Sequence, residues 1–269
     1  MSSRYTLPII AVVAAVIIAV AGCVVIVNNN DSDDNEIFDR IGIIGAMATE
    51  VEILKDAMDT TRVTKISGME FYEGTLEGQN IVLVQSGIGK VNAGVCAQML
   101  ITKFNATSII NTGVAGALNE TLDIGDFVIS VDAAQHDYDL SPIGYEKGVI
   151  PEAGIAFFKA NPKLILLAEE AIKKYAPSIY VLKGTVCSGD QFIASDEERA
   201  RIIEEFGGAC CEMEGAAIAQ VCHMGKVPFV IIRAMSDKAD GTAPEDYSEF
   251  EKMVAHLSSQ VVRHMLQTI

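Results

Sequence analysis

Three carboxylates stand where stretches that read as strands give way to a loop or helix: Glu50 after "IGIIGAMAT", Glu214 after "GGACCEM" and Asp237 after "FVIIRAMS". Taken singly, each has a plain explanation. Glu50 and Glu214 suit helix amino termini through the helix dipole, and Asp237 suits a helix cap. Taken together, in a chain without a metal motif, they point to acid–base chemistry. Glycosidic bond cleavage is a natural use of such a set. It passes through an oxocarbenium-like state in which one carboxylic acid protonates the leaving group and another carboxylate positions or activates water. A third can hold sugar hydroxyls, whose hydrogen bonds tighten as charge develops. A fourth acid, Glu212, sits in "CCEMEGAAIAQ", an otherwise small and apolar run. Burying charge without a partner is costly or shifts the pKa, so both glutamates of this run need something to hold.

The elements that would position these acids alternate. "RIGIIGAM" reads as a buried first strand and "ATEVEILKDAM" as a helix, with Val51, Leu54 and Met58 at helical spacing. "MEFYEGTLEGQNIVLVQSGIGK" reads as a hairpin turned at "EGQN". "KVNAGVCAQMLITKF" and "PKLILLAEEAIKKYA" are helices, and "EFEKMVAHLSSQVVRHMLQTI" closes the chain as another. "ATSIINTG", "GDFVIS", "IYVLKGTVCSGD" and "FVIIRAMSD" are strands. The alternation predicts an α/β fold with a central mixed sheet flanked by helices. Glycines at Gly45, Gly87 with Gly89, and Gly113 with Gly116 suggest turns after strands, where ligands bind in open α/β folds. "GIGKVNAG" is only a loose match to a dinucleotide fingerprint and lacks the following acid, which argues against a nicotinamide site.

Composition narrows the class further. The chain has 269 residues, a formal charge of −16 and no run of Lys and Arg, which argues against a nucleic-acid partner. Six cysteines include no C-x-x-C pair and do not cluster with the four histidines, so they read as small buried hydrophobes. Trp is absent, which leaves any stacking on a ligand to Phe or Tyr.

The amino terminus is separate. Leu7 to Val27 carries no charge and, as a helix, would span about 30 Å, the thickness of a bilayer core. Arg4 precedes it, and the acidic stretch Asn28 to Glu36 follows. The positive-inside rule then places the body of the chain outside the cytoplasm. The reading is a signal-anchor or signal segment over 1–27, a polar acidic linker over 28–39 and a catalytic domain over 40–269. Ala19 to Ala21 offers a cleavage site, and "VAGC" resembles a lipoprotein box at Cys23. Cleavage with secretion, lipidation and a cytoplasmic-facing topology therefore stay open beside the uncleaved anchor.

The motifs "IGIIGAMATEVEIL", "SGIGKVNAG", "IINTGVAGALNETLDIGDFVIS", "HDYDLSPIGYEKGVIP", "CSGDQFI", "EMEGAAIAQVC" and "VPFVIIRAMSDKAD" follow one another in this order. The series resembles the 5'-methylthioadenosine/S-adenosylhomocysteine nucleosidases of the purine nucleoside phosphorylase superfamily. The resemblance implies hydrolysis of the adenine–ribose bond in 5'-thio-substituted adenosines, with no metal or cofactor. It implies that Glu50 deprotonates the attacking water, Asp237 protonates adenine N7 and Glu214 holds the ribose hydroxyls. Met213 would pack on the ribose or base and Phe192 stack on adenine, with the Ile193 backbone reading its edge. Ala115, Gly116 and Ser236 would complete the substrate contacts. Ile88, Leu140, Ile143, Tyr145 and Pro151 would make an apolar pocket for the 5' substituent, part of it supplied by the other subunit of a homodimer. Val114 stands where many members have serine, and Ile143 where an aromatic is usual. Phosphorolysis would need a cation for phosphate, and Asn111 stands where phosphorylases tend to place arginine. A futalosine-type nucleoside hydrolase, and a surface nucleoside-binding protein without turnover, are the competing readings.

Overall fold

The computed structural model describes residues 38–269. Strand β1 (Ile41–Gly45) is buried along its whole length, as expected of a strand covered on both faces. Helix α1 (Ala48–Ala57) follows it directly. Strands β2 (Asp59–Ile66), β3 (Met69–Leu76) and β4 (Gln79–Gln85) form an antiparallel meander. Both its turns are two residues long, Ser67-Gly68 and Glu77-Gly78, and all four residues have positive φ, the type I′ geometry that matches the strand twist. The second hairpin is the one expected at "EGQN". The first was not foreseen, because β2 is largely exposed and shows no apolar alternation. It is an edge strand, and Arg62 and Lys65 blunt that edge with charge.

Helix α2 (Lys90–Lys103) leads to β5 (Ser108–Ala117), β6 (Phe127–Gln135) and the short β7 (Phe158–Lys159). Helix α3 (Pro162–Tyr175) starts at Asn161, whose side chain accepts from the Lys163 and Leu164 amides, a standard N-cap. Then come β8 (Val181–Ser188), α4 (Asp196–Phe206), β9 (Gly208–Glu212), α5 (Gly215–Gly225), β10 (Phe229–Asp237) and α6 (Ala243–Leu266). Helix α4 was not foreseen: it is short and charged, and only Ile202 and Phe206 are buried. Helix α6 begins at Ala243 rather than Glu249, with a proline in its first turn, where proline is tolerated.

Among the described residues the strands make one ten-stranded sheet in the order β10-β6-β8-β9-β5-β1-β4-β3-β2, with β7 pairing β6 off this path and β10 also pairing with β5. Strands β5, β10, β6, β8 and β9 therefore close on themselves, while β1, β4, β3 and β2 extend from β5 as an open wing. Parallel pairs (β1 with β4 and β5, β5 with β10, β6 with β8) coexist with antiparallel ones (β10 with β6, β5 with β9). The mixed sheet flanked by helices is as expected. Apolar residues of α2 and α5 form one core cluster against it, and those of α1, α3 and α6 form another. Each fully buried Leu or Ile in these clusters stabilises the fold by about 1.5–3 kcal/mol relative to exposure.

One expectation is corrected here. Gly113 and Gly116 lie inside β5 rather than in a turn after it; they serve close packing, described below. The expected Leu7–Val27 helix, the Asn28–Glu36 linker and Cys23 fall outside the described residues. Among the described residues, no helix is long and apolar enough to cross a membrane.

Candidate active site

Strands β1, β5 and β10 run parallel side by side, so their carboxyl ends open at one edge of the sheet. β9 runs against β5, but its last residues pair with Gly116 and Ala117 and deliver Glu212 to the same place. A cavity of about 390 Å³ lies there, within the ordinary range for small-molecule sites. Glu50, Glu214 and Asp237 all line it, as do Met213, Phe192, Ile193, Ile88, Ala115, Gly116 and Ser236. Those ten sequence-predicted residues are brought together.

Glu50 is third in α1 and almost fully buried. Its Oε2 accepts from the Ala46 and Met47 amides at 2.6 and 2.9 Å, and its Oε1 from the Val114 amide at 3.1 Å. The helix-terminus role considered for Glu50 is thus real, yet the carboxyl still faces the cavity. Burial raises its pKa; the Arg233 guanidinium and the three amides oppose that without cancelling it.

Asp237 ends β10 and caps no helix. Its Oδ1 accepts from the Ala239 amide at 2.9 Å and its Oδ2 from the Ser236 hydroxyl at 2.8 Å. Burial raises its pKa against both bonds, and Asp246 and Asp240 add to the rise.

Glu214 is the residue before α5. Its Oε1 accepts from the Gly89 amide at 2.8 Å, and its Oε2 lies 3.6 Å from Arg233. Burial and the neighbouring Glu212 push its pKa up to about 7, against the pull of Arg233 and the Gly89 amide.

Glu212 also lines the cavity, and its carboxylate holds the start of α5. Its carboxylate accepts from the Glu214 amide at 3.1 Å, the Gly215 amide at 2.8 Å and the Ser188 hydroxyl, and it pairs with Arg233. The two amides are orphan donors of a helix amino terminus, satisfied by a side chain.

Arg233 is one cavity residue that sequence reasoning missed. It is 1% exposed and lines the cavity. Its guanidinium donates to Asn111 Oδ1 at 2.6 Å and to the Val114 carbonyl at 3.2 Å, and lies 3.9 Å from Glu50. Burial disfavours its charge, but Glu212, Glu214 and Glu50 more than compensate and keep it ionised. The signal was available: one arginine in the middle of an apolar strand, in a segment already tied to the site.

Tyr247 of α6 was also missed, for want of any local pattern. It lines the cavity, its ring meets Phe192 edge-on with centroids 5.5 Å apart, and its hydroxyl reaches Met47 Sδ at 3.1 Å. Burial, with Glu251, Glu50, Asp237 and Glu214, pushes its pKa up to about 12, so it stays a neutral phenol.

Two further expectations meet the structure here. Leu140, Ile143, Tyr145 and Pro151 are not among the residues that line this cavity. They follow β6 in a segment that runs over the surface, with Ile143 and Tyr145 70% and 42% exposed, so within one chain they do not close the pocket. The five described cysteines, Cys96, Cys187, Cys210, Cys211 and Cys222, are buried and free as expected. Burial pushes every one of their thiols up.

Residues 40–267 fit the sequence pattern of the phosphorylase superfamily. The chain is 43% identical over 230 residues to a 5'-methylthioadenosine/S-adenosylhomocysteine nucleosidase from Staphylococcus haemolyticus, a match covering 85% of this chain and all of the relative. The crystal structure of such a nucleosidase from Neisseria meningitidis, in complex with methylthio-immucillin-A, superposes with a TM-score of 0.83 at 40% identity, over 86% of this chain and all of that one. A futalosine hydrolase of Helicobacter pylori gives 0.81 at 32% identity, over 87% of this chain and 99% of that one. The chain belongs to the 5'-methylthioadenosine/S-adenosylhomocysteine nucleosidase family of that superfamily.

Proposed function

We propose that this chain hydrolyses the N-glycosidic bond of 5'-methylthioadenosine and S-adenosylhomocysteine, and by the same chemistry 5'-deoxyadenosine, releasing adenine and the 5-substituted ribose. The observation that carries the reading is the charge pattern of the cavity. Three buried carboxyls with raised pKa values face it, and its arginine is already engaged. A carboxyl whose pKa is raised keeps its proton to higher pH and is suited to act as a general acid. Asp237 acts as that acid toward adenine N7, since adenine leaves poorly as an anion. Glu50 takes a proton from the attacking water, held in place by three backbone amides that leave its position little freedom. Glu214 accepts from the ribose hydroxyls. Phe192 and Met213 supply faces for the base and sugar.

The cation in the site does not favour phosphorolysis. Arg233 is surrounded by Glu50, Glu212 and Glu214, so its charge is already matched within the site and it is not a free cation for a phosphate dianion. Water, being neutral, needs none. Leu140, Ile143, Tyr145 and Pro151 join the pocket only if a second copy of the chain brings them, which is the homodimer reading. A futalosine-type hydrolase is the second reading, favoured by the shared fold with that enzyme; the greater identity to the nucleosidases supports the first.

The deciding assay follows adenine release from methylthioadenosine, S-adenosylhomocysteine, 5'-deoxyadenosine and futalosine, with and without phosphate. Equal rates in phosphate-free buffer and free 5-methylthioribose as product are expected. A ribose 1-phosphate product would overturn the hydrolase reading, and turnover of futalosine alone would move the assignment to the second.

A further inference from the structure

Three surface loops that carry proposed substrate contacts are tied together at a single point, and none of the residues that tie them lines the cavity. Lys90, the first residue of α2, sends its ammonium to Asp137 Oδ1 just beyond β6. The other oxygen of Asp137 accepts the Asp190 amide at 2.9 Å, just beyond β8. Asp190 Oδ1 returns to Lys90 and accepts its amide at 2.8 Å. The ring of three contacts closes. Lys90 Nζ also donates to Gln135 Oε1 at 3.0 Å, and the Gln135 amide group reaches Gln220 on α5.

The ring bears directly on Glu214. The first amides of α2 have no partner within the helix. Of two successive ones, Gly89 N–H goes to Glu214 Oε1 and Lys90 N–H to Asp190. Gly89 has φ +100, and a Cβ there would stand 3.1 Å from Asp190 Oδ1. The aspartate therefore packs over the glycine and holds the Lys90 amide, while the neighbouring Gly89 amide serves the glutamate. Lys90 and Asp137 are only 17% and 19% exposed in their side chains, which spares the pair the screening that weakens surface ion pairs.

We propose that Lys90, Asp137 and Asp190 are positioning residues: their ring fixes the Gly89 amide against Glu214 and so sets the carboxylate that holds the ribose. The inference rests on the reading of Glu214 as the ribose-binding group. It does not make any of the three a catalytic residue, because they act through the backbone of the glycine turn.

The test is a double-mutant cycle on kcat/KM for methylthioadenosine, using the full chain with Asp190→Ala, Glu214→Ala and both together. Residues that act through one another give non-additive losses, whereas general damage adds. Asp190→Ala alone should lower kcat/KM about tenfold, the scale of one displaced hydrogen bond to a charged group. In the Glu214→Ala background, where the Gly89 amide has no carboxylate to meet, the same change should cost less than about twofold. Asp190→Asn, which keeps an oxygen for the Lys90 amide, should recover most of the loss. Equal losses in both backgrounds would overturn the proposal, since the ring would then act on something other than Glu214. If Asp190→Ala is harmless while Glu214→Ala is damaging, the ring is refuted and the ribose reading stands. If Glu214→Ala is itself harmless, the ribose reading fails and takes the ring with it. Should Asp190→Ala not fold, Lys90→Met opens the ring at its other end and enters the same cycle.

Discussion

Asp237 has two hydrogen-bond donors and a raised pKa at once, because burial outweighs the donors. A general acid needs that combination: a fixed direction and a carboxyl that keeps its proton to higher pH than a free one. Asp237→Asn keeps the shape and still donates from its amide, yet has no proton to transfer. Turnover by that variant should fall by about 10²–10⁴ while nucleoside binding persists. The pH profile should report both acids, with opposite signs. Glu50 works ionised and its pKa is raised, so activity is lost as pH falls through a value above the ordinary 4.5. Asp237 works protonated, so activity is lost as pH rises through its own raised pKa. A bell-shaped kcat/KM is expected, its acid limb displaced upward and its alkaline limb absent in whatever activity Asp237→Asn retains. An alkaline limb unchanged in that variant would assign it to another group and remove Asp237 from proton transfer.

At the scale of the element, β5 is what allows the charged groups to meet. It lies between β1 and β10 and also touches β9, so side chains from β9, from β10 and from helix α1, which follows β1, converge over its carboxyl half. Two glycines make the room. A Cβ on Gly113 would stand 2.3 Å from Glu50 Oε1 and 2.4 Å from Arg233 Nη1, and one on Gly116 would stand 2.7 Å from Asp237 Oδ1. Neither glycine has positive φ; the requirement is space, not backbone conformation. Gly113→Ala should therefore push apart Glu50 and Arg233, which are clamped by backbone amides and by Glu212 and Asn111. Overpacking of this kind costs about 1–3 kcal/mol, which for a domain of this size lowers Tm by roughly 2–12 °C. The accompanying fall in kcat should be at least about tenfold, because an ångström of misplacement in a reacting group is expensive. Scanning calorimetry and adenine release measure the two together. A variant with normal turnover would show that Glu50 can move freely, contrary to its three amide contacts.

For the whole molecule, the sequence divides at the end of an uncharged run, Leu7 to Val27, followed by an acidic stretch. We propose that this run holds the domain at a membrane with the catalytic body outside the cytoplasm. Protease added to intact cells should then digest the domain, which should fractionate with membranes. Protection until lysis would reverse the topology, and a shortened chain in the medium would instead indicate cleavage after Ala21. Lipid recovered on Cys23 would indicate the lipoprotein route. The formal charge of −16 adds a general field that disfavours anionic ligands.

The sequence by itself determined the strands that carry the acids, the helices with strong apolar spacing, the buried state of the described cysteines and the three carboxylates at strand ends. Each of these is a local matter: periodicity, branched runs and residue type are visible within a short window. Tertiary structure decided the rest. The strand β2 and helix α4 carry too little apolar signal, since one is a charged edge and the other buries few residues. The role of Glu212 needed a partner twenty-one positions away, Arg233, and spacing along the chain does not show that the two meet. Tyr247 enters from a helix whose early turns have no distinguishing pattern. Gly113 and Gly116 look like turn residues in sequence, and only the convergence of Glu50, Arg233 and Asp237 over β5 reveals that they are cleared space. Long-range closure of β10 onto both β5 and β6 brings those groups within reach of one another. That closure depends on how all the strands order themselves, which no single stretch of the sequence specifies.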